Sequence, residues 1–325
     1  MTDAARNEVQ ISPSGEPHPL PPQKNWAVSL FMGDSGLRTG WRLFLFFTLV
    51  IGLAIAGSFL LRRFGTAPQR GVMTPVASVL GETLSVLSVI VATAVAARFE
   101  HRSLGSYGLA LRPGFLGRFM IGSMWGIVPL SLLMLVMRTF HAVDFSPSDL
   151  SGSALFRAAI LWAIAFTFTG IFEECFFRGY PLYALTRSTG FWPAAIITSL
   201  IFALIHISNS GEAVVGIIAA FFAGLVFCLM VRRTGDLWFA IGSHFAWNYG
   251  ETFVFGVSDS GFCATGHLLT SHMHGSHWLT GGSVGPEGSL LAFLALGFMA
   301  LTFHLAYPHV RLNTDDSFPR FSWRG

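Results

Sequence analysis

The sequence predicts an all-α fold, a polytopic membrane helical bundle of about eight transmembrane helices. Three observations predict it. Of 325 residues, 52% are hydrophobic and only 11% charged, where soluble domains carry about 25% charged residues. The mean hydropathy is +0.59. Most directly, the chain offers eight stretches close to the ~20 largely apolar residues a helix needs to cross a bilayer.

In chain order the candidate spans run roughly from Gly40 to Leu61, Pro75 to Ala97, Phe115 to Met137, Leu155 to Tyr183, Trp192 to Ile207, Ala213 to Val231, Leu237 to Phe255 and Ser289 to Tyr307. The fifth is short and the fourth long. The organisation that follows is a bundle over residues 40–308, with a polar tail at residues 1–39 and a second at 309–325. Met1 to Arg38 holds five prolines and no long apolar run, which predicts a solvated, disordered segment. No cleavable signal peptide is expected ahead of the first span. Residues 256–288 form a loop rich in glycine and histidine, with Ser289 or Glu287 placed to cap the last helix.

Basic residues orient the bundle. With the N-terminus in the cytoplasm, fifteen of the twenty Lys and Arg residues fall on or near the inner side, and Arg62, Arg63, Arg70, Arg138 and Arg157 fall outside. That asymmetry predicts an integral cell-membrane protein with both termini cytoplasmic. The net charge of +3 then reflects loop positions, and nucleic acid is not an expected partner. Cys175, Cys228 and Cys263 show no CxxC spacing and lie in or beside different apolar segments, so no disulfide framework is expected.

Against this apolar background, three motifs place ionisable groups at lipid depth, where they are costly and usually functional. They are Glu173-Glu174-Cys175-Phe176-Phe177-Arg178, Phe202-x3-His206 and His244-x3-Asn248. Glu174 and Arg178 are i and i+4, neighbours able to form an ion pair, while Glu173 points about 100° away and keeps no local counter-charge. Glu173 is therefore the candidate general base. His244 and Asn248 share a helix face and can offer two hydrogen-bond donors to one oxygen. Phe202 is i−4 to His206, where its ring can pack beside the imidazole and exclude water.

Helix geometry tests whether these motifs meet. If the fourth and fifth spans are antiparallel about a turn at Arg187 to Gly190, Glu173 and His206 each lie about 16 residues from its midpoint. Both would sit roughly 24 Å deep at ~1.5 Å per residue. His244 lies only eight residues beyond Asp236, so the seventh helix must begin earlier or sit lower. Glu82 and Arg118, in the second and third spans, can pair with each other, line a water-filled path or sit at interfaces. Taken singly, each motif has a structural reading as salt bridge, satisfied histidine or interhelical glue.

Their conjunction resembles the CPBP family (CAAX protease and bacteriocin-processing, ABI-type) of intramembrane peptidases, and through it the Ras-converting CAAX prenyl proteases, whose signature is EExxxR, FxxxH and HxxxN or HxxxD. The resemblance covers about residues 155–250. It implies an intramembrane endopeptidase that hydrolyses a peptide bond of a membrane-associated peptide or protein. Carried over by motif, Glu173 and His206 would activate the attacking water, and His244 with Asn248 would stabilise the oxyanion. Glu174, Arg178 and Phe202 would support them.

The resemblance leaves metal open. Glu173, His206 and His244 could bind zinc as a catalytic His2Glu site, whereas a glutamate-and-water mechanism uses the same residues. The expectation is that no cofactor is needed, since Asn248 is a poor zinc ligand. The chain has no HExxH, its Ser-Gly pairs lie outside the spans, and Gly235-Asp236 is a loop dipeptide. His267, His272, His274 and His277 crowd the 256–288 loop and could hold a transition metal, although a flexible polar loop is the simpler reading. Two non-enzymatic classes compete: a scaffold or bacteriocin-immunity protein on the same fold, and a small transporter, for which the repeated halves or broken helices are missing. Nothing in the residues indicates an oligomeric state.

Overall fold

The computed structural model describes residues 26–33, 36–64, 72–209 and 214–312. The major helices are α2 (Thr39–Arg63), α3 (Pro75–Phe99), α4 (Phe115–Thr139), α5 (Gly152–Glu174), α6 (Tyr180–Thr189), α7 (Phe191–His206), α8 (Val214–Thr234), α9 (Trp238–Tyr249) and α11 (Leu290–Ala306), with short α1 (Trp26–Phe31) and α10 (His277–Thr280). Five helical stretches are long and apolar enough to cross a membrane: α2, α3, α4, α8 and the 38-residue run Gly152–Thr189, in which α5 and α6 join through a π-helical turn at Cys175–Gly179. α7 and α11 are shorter apolar helices. The seventh expected span is α9 extended by a second π-helical turn, Gly250–Phe255.

The loops sort to two ends, as alternating crossings require. At one end, β4 (Val143–Pro147) pairs antiparallel with β6 (Leu269–Met273), and β3 (Val72–Met73) pairs parallel with β5 (Cys263–Ala264). Three loops expected on a common side are thereby joined. At the other end Arg42 pairs with Glu100 at 3.3 Å, Arg118 with Asp236 at 2.6 Å, and Arg311 N donates to Arg232 O at 3.1 Å.

The structure bears on three of these readings. The tail up to residue 39 is partly ordered: α1 leads into a hairpin of β1 (Met32–Gly33) and β2 (Gly36–Leu37), and Phe31 packs on Trp41 with ring centroids 4.7 Å apart. The apolar residues Leu30, Phe31 and Met32 supply a local anchor among the prolines and polar groups. Residues 1–25 and 313–325, which hold the rest of the two tails, lie outside the described residues. Arg118 pairs with Asp236 and not with Glu82. The 256–288 segment is built structure, held to α5 by Trp162 Nε1, which donates to the carbonyls of Thr265 and Gly266 at 3.1 Å each.

The histidines of that segment are dispersed. His267 Nε2 meets Thr270 Oγ1 at 3.2 Å, His272 Nε2 meets Ser146 Oγ at 3.1 Å and His274 Nε2 lies 3.2 Å from Asp144. Among the described residues no three of them gather donor atoms as a metal site would need. Ser289 caps α11, accepting from Ala292 N at 3.3 Å.

The bundle centres on α9. A Cβ added at Gly122 or Gly126 of α4 would lie 2.1 Å from the carbonyl oxygens of Phe239 and Ser243, and one at Gly242 would lie 2.1 Å from that of Phe119. The backbones of α4 and α9 therefore touch, as small-xxx-small surfaces allow in lipid. On the opposite flank a Cβ at Gly170 of α5 would lie 3.0 Å from Ile241 O. The helix bearing His244 and Asn248 is clamped from both sides.

Candidate active site

Glu173 and Glu174 end α5 at the point where the α-helix widens into the Cys175–Gly179 π turn. The two carboxylates face different surroundings. Glu174 is fully buried, and its Oε1 accepts from Arg178 Nη1 at 3.2 Å and lies 2.9 Å from His244 Nδ1. Glu173 keeps 23% side-chain exposure and lines a cavity of about 370 Å³.

Arg178 is as buried as its partner. Its guanidinium carbon lies 4.4 Å from the Phe202 ring centroid, 5.4 Å from Phe177 and 5.5 Å from Phe227, within cation–π range of each. The charge is thus met by one carboxylate and three ring faces. Gly224 of α8 makes the room: a Cβ there would fall 2.8 Å from Arg178 Nη2.

His244 is the hub. Its Nδ1 faces Glu174 and its Nε2 lies 3.6 Å from Glu173 Oε2. Phe227 stacks on its ring at 5.1 Å and 14°. The depth mismatch noted in the sequence resolves here, because α9 begins level with the π turn and not with the end of α6. A Cβ on Gly179 would lie 3.8 Å from Leu237, the residue before α9. Six residues back from Gly179 and seven on from Leu237 then arrive at Glu173 and His244.

His206 ends α7, and its Nδ1 bonds the Phe202 carbonyl at 2.7 Å. Since a carbonyl only accepts, Nδ1 carries the hydrogen and Nε2 of the neutral ring is an acceptor. The Phe202 ring packs on that imidazole at 4.6 Å, so Phe202 serves both His206 and Arg178.

Glu173, Phe202, His206, His244 and Asn248 line one cavity, while Glu174 and Arg178 stand sealed behind it. The direct partner of the Glu173 carboxylate is His244, where the sequence had suggested His206. Glu82 of α3 lines the same cavity, with an Oε2 that makes no hydrogen bond among the described residues. The sequence signal for Glu82 was a lone carboxylate in an apolar span. Phe227 and Gly224 had no such signal, since an aromatic and a glycine in an apolar helix are unremarkable until their neighbours are known.

Metal chemistry makes a geometric demand. Among the described residues the one group of three donors within 4.8 Å of one another is Glu251, Asp259 and Glu287, so Glu173, His206 and His244 are not drawn together to that degree.

Residues 155–250, the stretch holding all three motifs, match the Rce1-like family, described as type II CAAX prenyl endopeptidase Rce1-like. Over these residues the chain is similar to that family. No curated protein matches the chain. That similarity supports a CAAX-type intramembrane endopeptidase in general, and with five helical stretches long and apolar enough to cross a membrane, two of them largely within the matched residues, the protein is an integral membrane protein.

Proposed function

We propose that the protein is an endopeptidase hydrolysing a peptide bond of a membrane-associated peptide or protein, with Glu173 as general base and no metal in the reaction. The observation that carries this reading is His244 standing between Glu173 and Glu174 at the wall of a cavity that also receives His206 and Asn248.

In the proposed reaction, a water held between Glu173 and the His206 Nε2 lone pair gives a proton to the Glu173 carboxylate as its oxygen attacks the scissile carbonyl carbon. The carbonyl electrons move to oxygen. That oxyanion accepts hydrogen bonds from His244 Nε2–H and the Asn248 amide. On collapse, the proton on Glu173 passes to the departing amine and the C–N bond breaks. With Nδ1–H committed to Glu174, His244 offers Nε2–H only as an imidazolium. Glu173, Glu174, Arg178 and the His244 imidazolium then sum to zero charge, which lowers the cost of burying Glu174 and Arg178.

We further propose that both termini face the cytoplasm, from the basic-residue asymmetry. The function is tested by reconstituting wild type and Glu173→Gln with a lipid-anchored or transmembrane peptide library and identifying products by mass spectrometry. Cleavage by wild type alone supports the reading, and no cleavage or equal cleavage by both overturns it.

A further inference from the structure

Beyond the peptidase motifs, the α9 stripe continues. His244, Asn248 and Glu251 are spaced i, i+4 and i+7, one face of a helix, and Glu251 enters the Gly250–Phe255 π turn. Its side chain is fully buried, with the Trp247 indole as its polar neighbour and no hydrogen bond within 3.5 Å to either carboxylate oxygen among the described residues. It faces two more carboxylates. Asp259, 5% exposed, accepts from Thr252 Oγ1 at 3.1 Å, and Glu287, in the turn before α11, accepts from Ser260 Oγ at 2.5 Å. One oxygen from each of the three lies within 4.8 Å of the others. None of the three pairs with a lysine, arginine or histidine among the described residues.

We propose that Glu251, Asp259 and Glu287 form a binding site for a hard divalent cation of calcium size. Three carboxyl groups converge without a basic partner, so repulsion and desolvation oppose their ionising together unless a cation enters. The donor set is all oxygen, which suits calcium or magnesium over zinc or copper. The spacing admits calcium, whose ligands about 2.4 Å away are at most about 4.8 Å apart, and a largely buried carboxylate cage suits it better than magnesium, which sheds its waters reluctantly. Glu251, buried and without a charged partner among the described residues, is the residue an ion would engage most directly. Thr252 and Ser260 hold the other two carboxylates in place.

Such an ion would tie the far end of the helix bearing His244 and Asn248 to the turn that starts α11. Asp259 and Glu287 also line the catalytic cavity, so the ion would set the charge of that wall as well. Its role is in positioning, and it takes no part in the hydrolysis proposed above.

The experiment uses the full chain in detergent, stripped with a chelator and then titrated with calcium or magnesium while thermal unfolding is followed. Wild type is expected to gain melting temperature with rising calcium, more than with magnesium, growing with the logarithm of concentration. Glu251→Gln should lose that gain, while Glu173→Gln keeps it. Terbium gives a direct readout through indole-sensitised emission from Trp247, which shares the cavity wall; calcium should quench it by displacement. Where Glu251→Gln does not fold, Glu287→Gln must abolish the calcium-displaceable terbium signal. Absence of any calcium effect on wild type, or an equal effect on the variants, overturns the proposal.

Discussion

His244 Nδ1 lies 2.9 Å from Glu174 Oε1, joining the second glutamate of one motif to the histidine of another seventy residues away. That contact converts an i,i+4 ion pair into a three-membered network, because the same Oε1 also accepts from Arg178 at 3.2 Å. Glu174 thereby fixes the ring whose other nitrogen faces Glu173.

Glu173→Gln should abolish turnover and leave the fold intact. The amide preserves shape and loses the proton acceptor, and positioned acid-base groups contribute about 10²- to 10⁴-fold. Rates on a reconstituted substrate, with melting temperature measured in parallel, check this. Full activity would favour a scaffold on the same fold.

Glu174→Gln should lower both stability and activity. It strands the buried Arg178 and frees His244 Nδ1, and breaking a buried pair costs roughly 3 to 5 kcal/mol. Arg178→Met added to it should recover part of the melting temperature without restoring cleavage. Independent, additive losses in the double variant would show that the two residues are not coupled.

Gly126→Ala should disrupt the site from behind. Its Cβ would fall 2.1 Å from Ser243 O, next to His244, forcing α4 and α9 apart at an overpacking cost of about 1 to 3 kcal/mol. Gly117→Ala, on the same helix with open space around it, is the control. Equal behaviour of the two in thermal unfolding and cleavage would contradict the backbone contact.

Zinc should be dispensable. Purified protein should hold no stoichiometric zinc, and a zinc-selective chelator should leave cleavage unchanged. Zinc lost together with activity, and activity restored by adding it back, would reverse the metal-free mechanism. The calcium site proposed above is separable, since a zinc-selective chelator leaves calcium in place.

Orientation is checked by single cysteines in a background lacking Cys175, Cys228 and Cys263. A cysteine at Asn313 should react only after permeabilisation, and one at Ser276 with an impermeant reagent applied outside. The opposite pattern inverts the bundle.

Composition and apolar run length were enough to specify a helical membrane bundle, because lipid forces each crossing to satisfy its own backbone hydrogen bonds. The divergence of Glu173 from the side shared by Glu174 and Arg178 was equally legible, since side-chain direction follows from 3.6 residues per turn. The partner of Glu173 was not legible. It depended on α9 starting level with Gly179, a relation between segments 58 residues apart that the packing of Leu237 sets. Glycines 122, 126, 170 and 242 determine how closely α9 is held, and in a sequence they read simply as small apolar residues. Glu82 and Glu251 were visible as carboxylates in or beside apolar spans, yet what they face depends on helix rotation and depth. Those are fixed by side-chain contacts across the bundle, and local periodicity does not encode them.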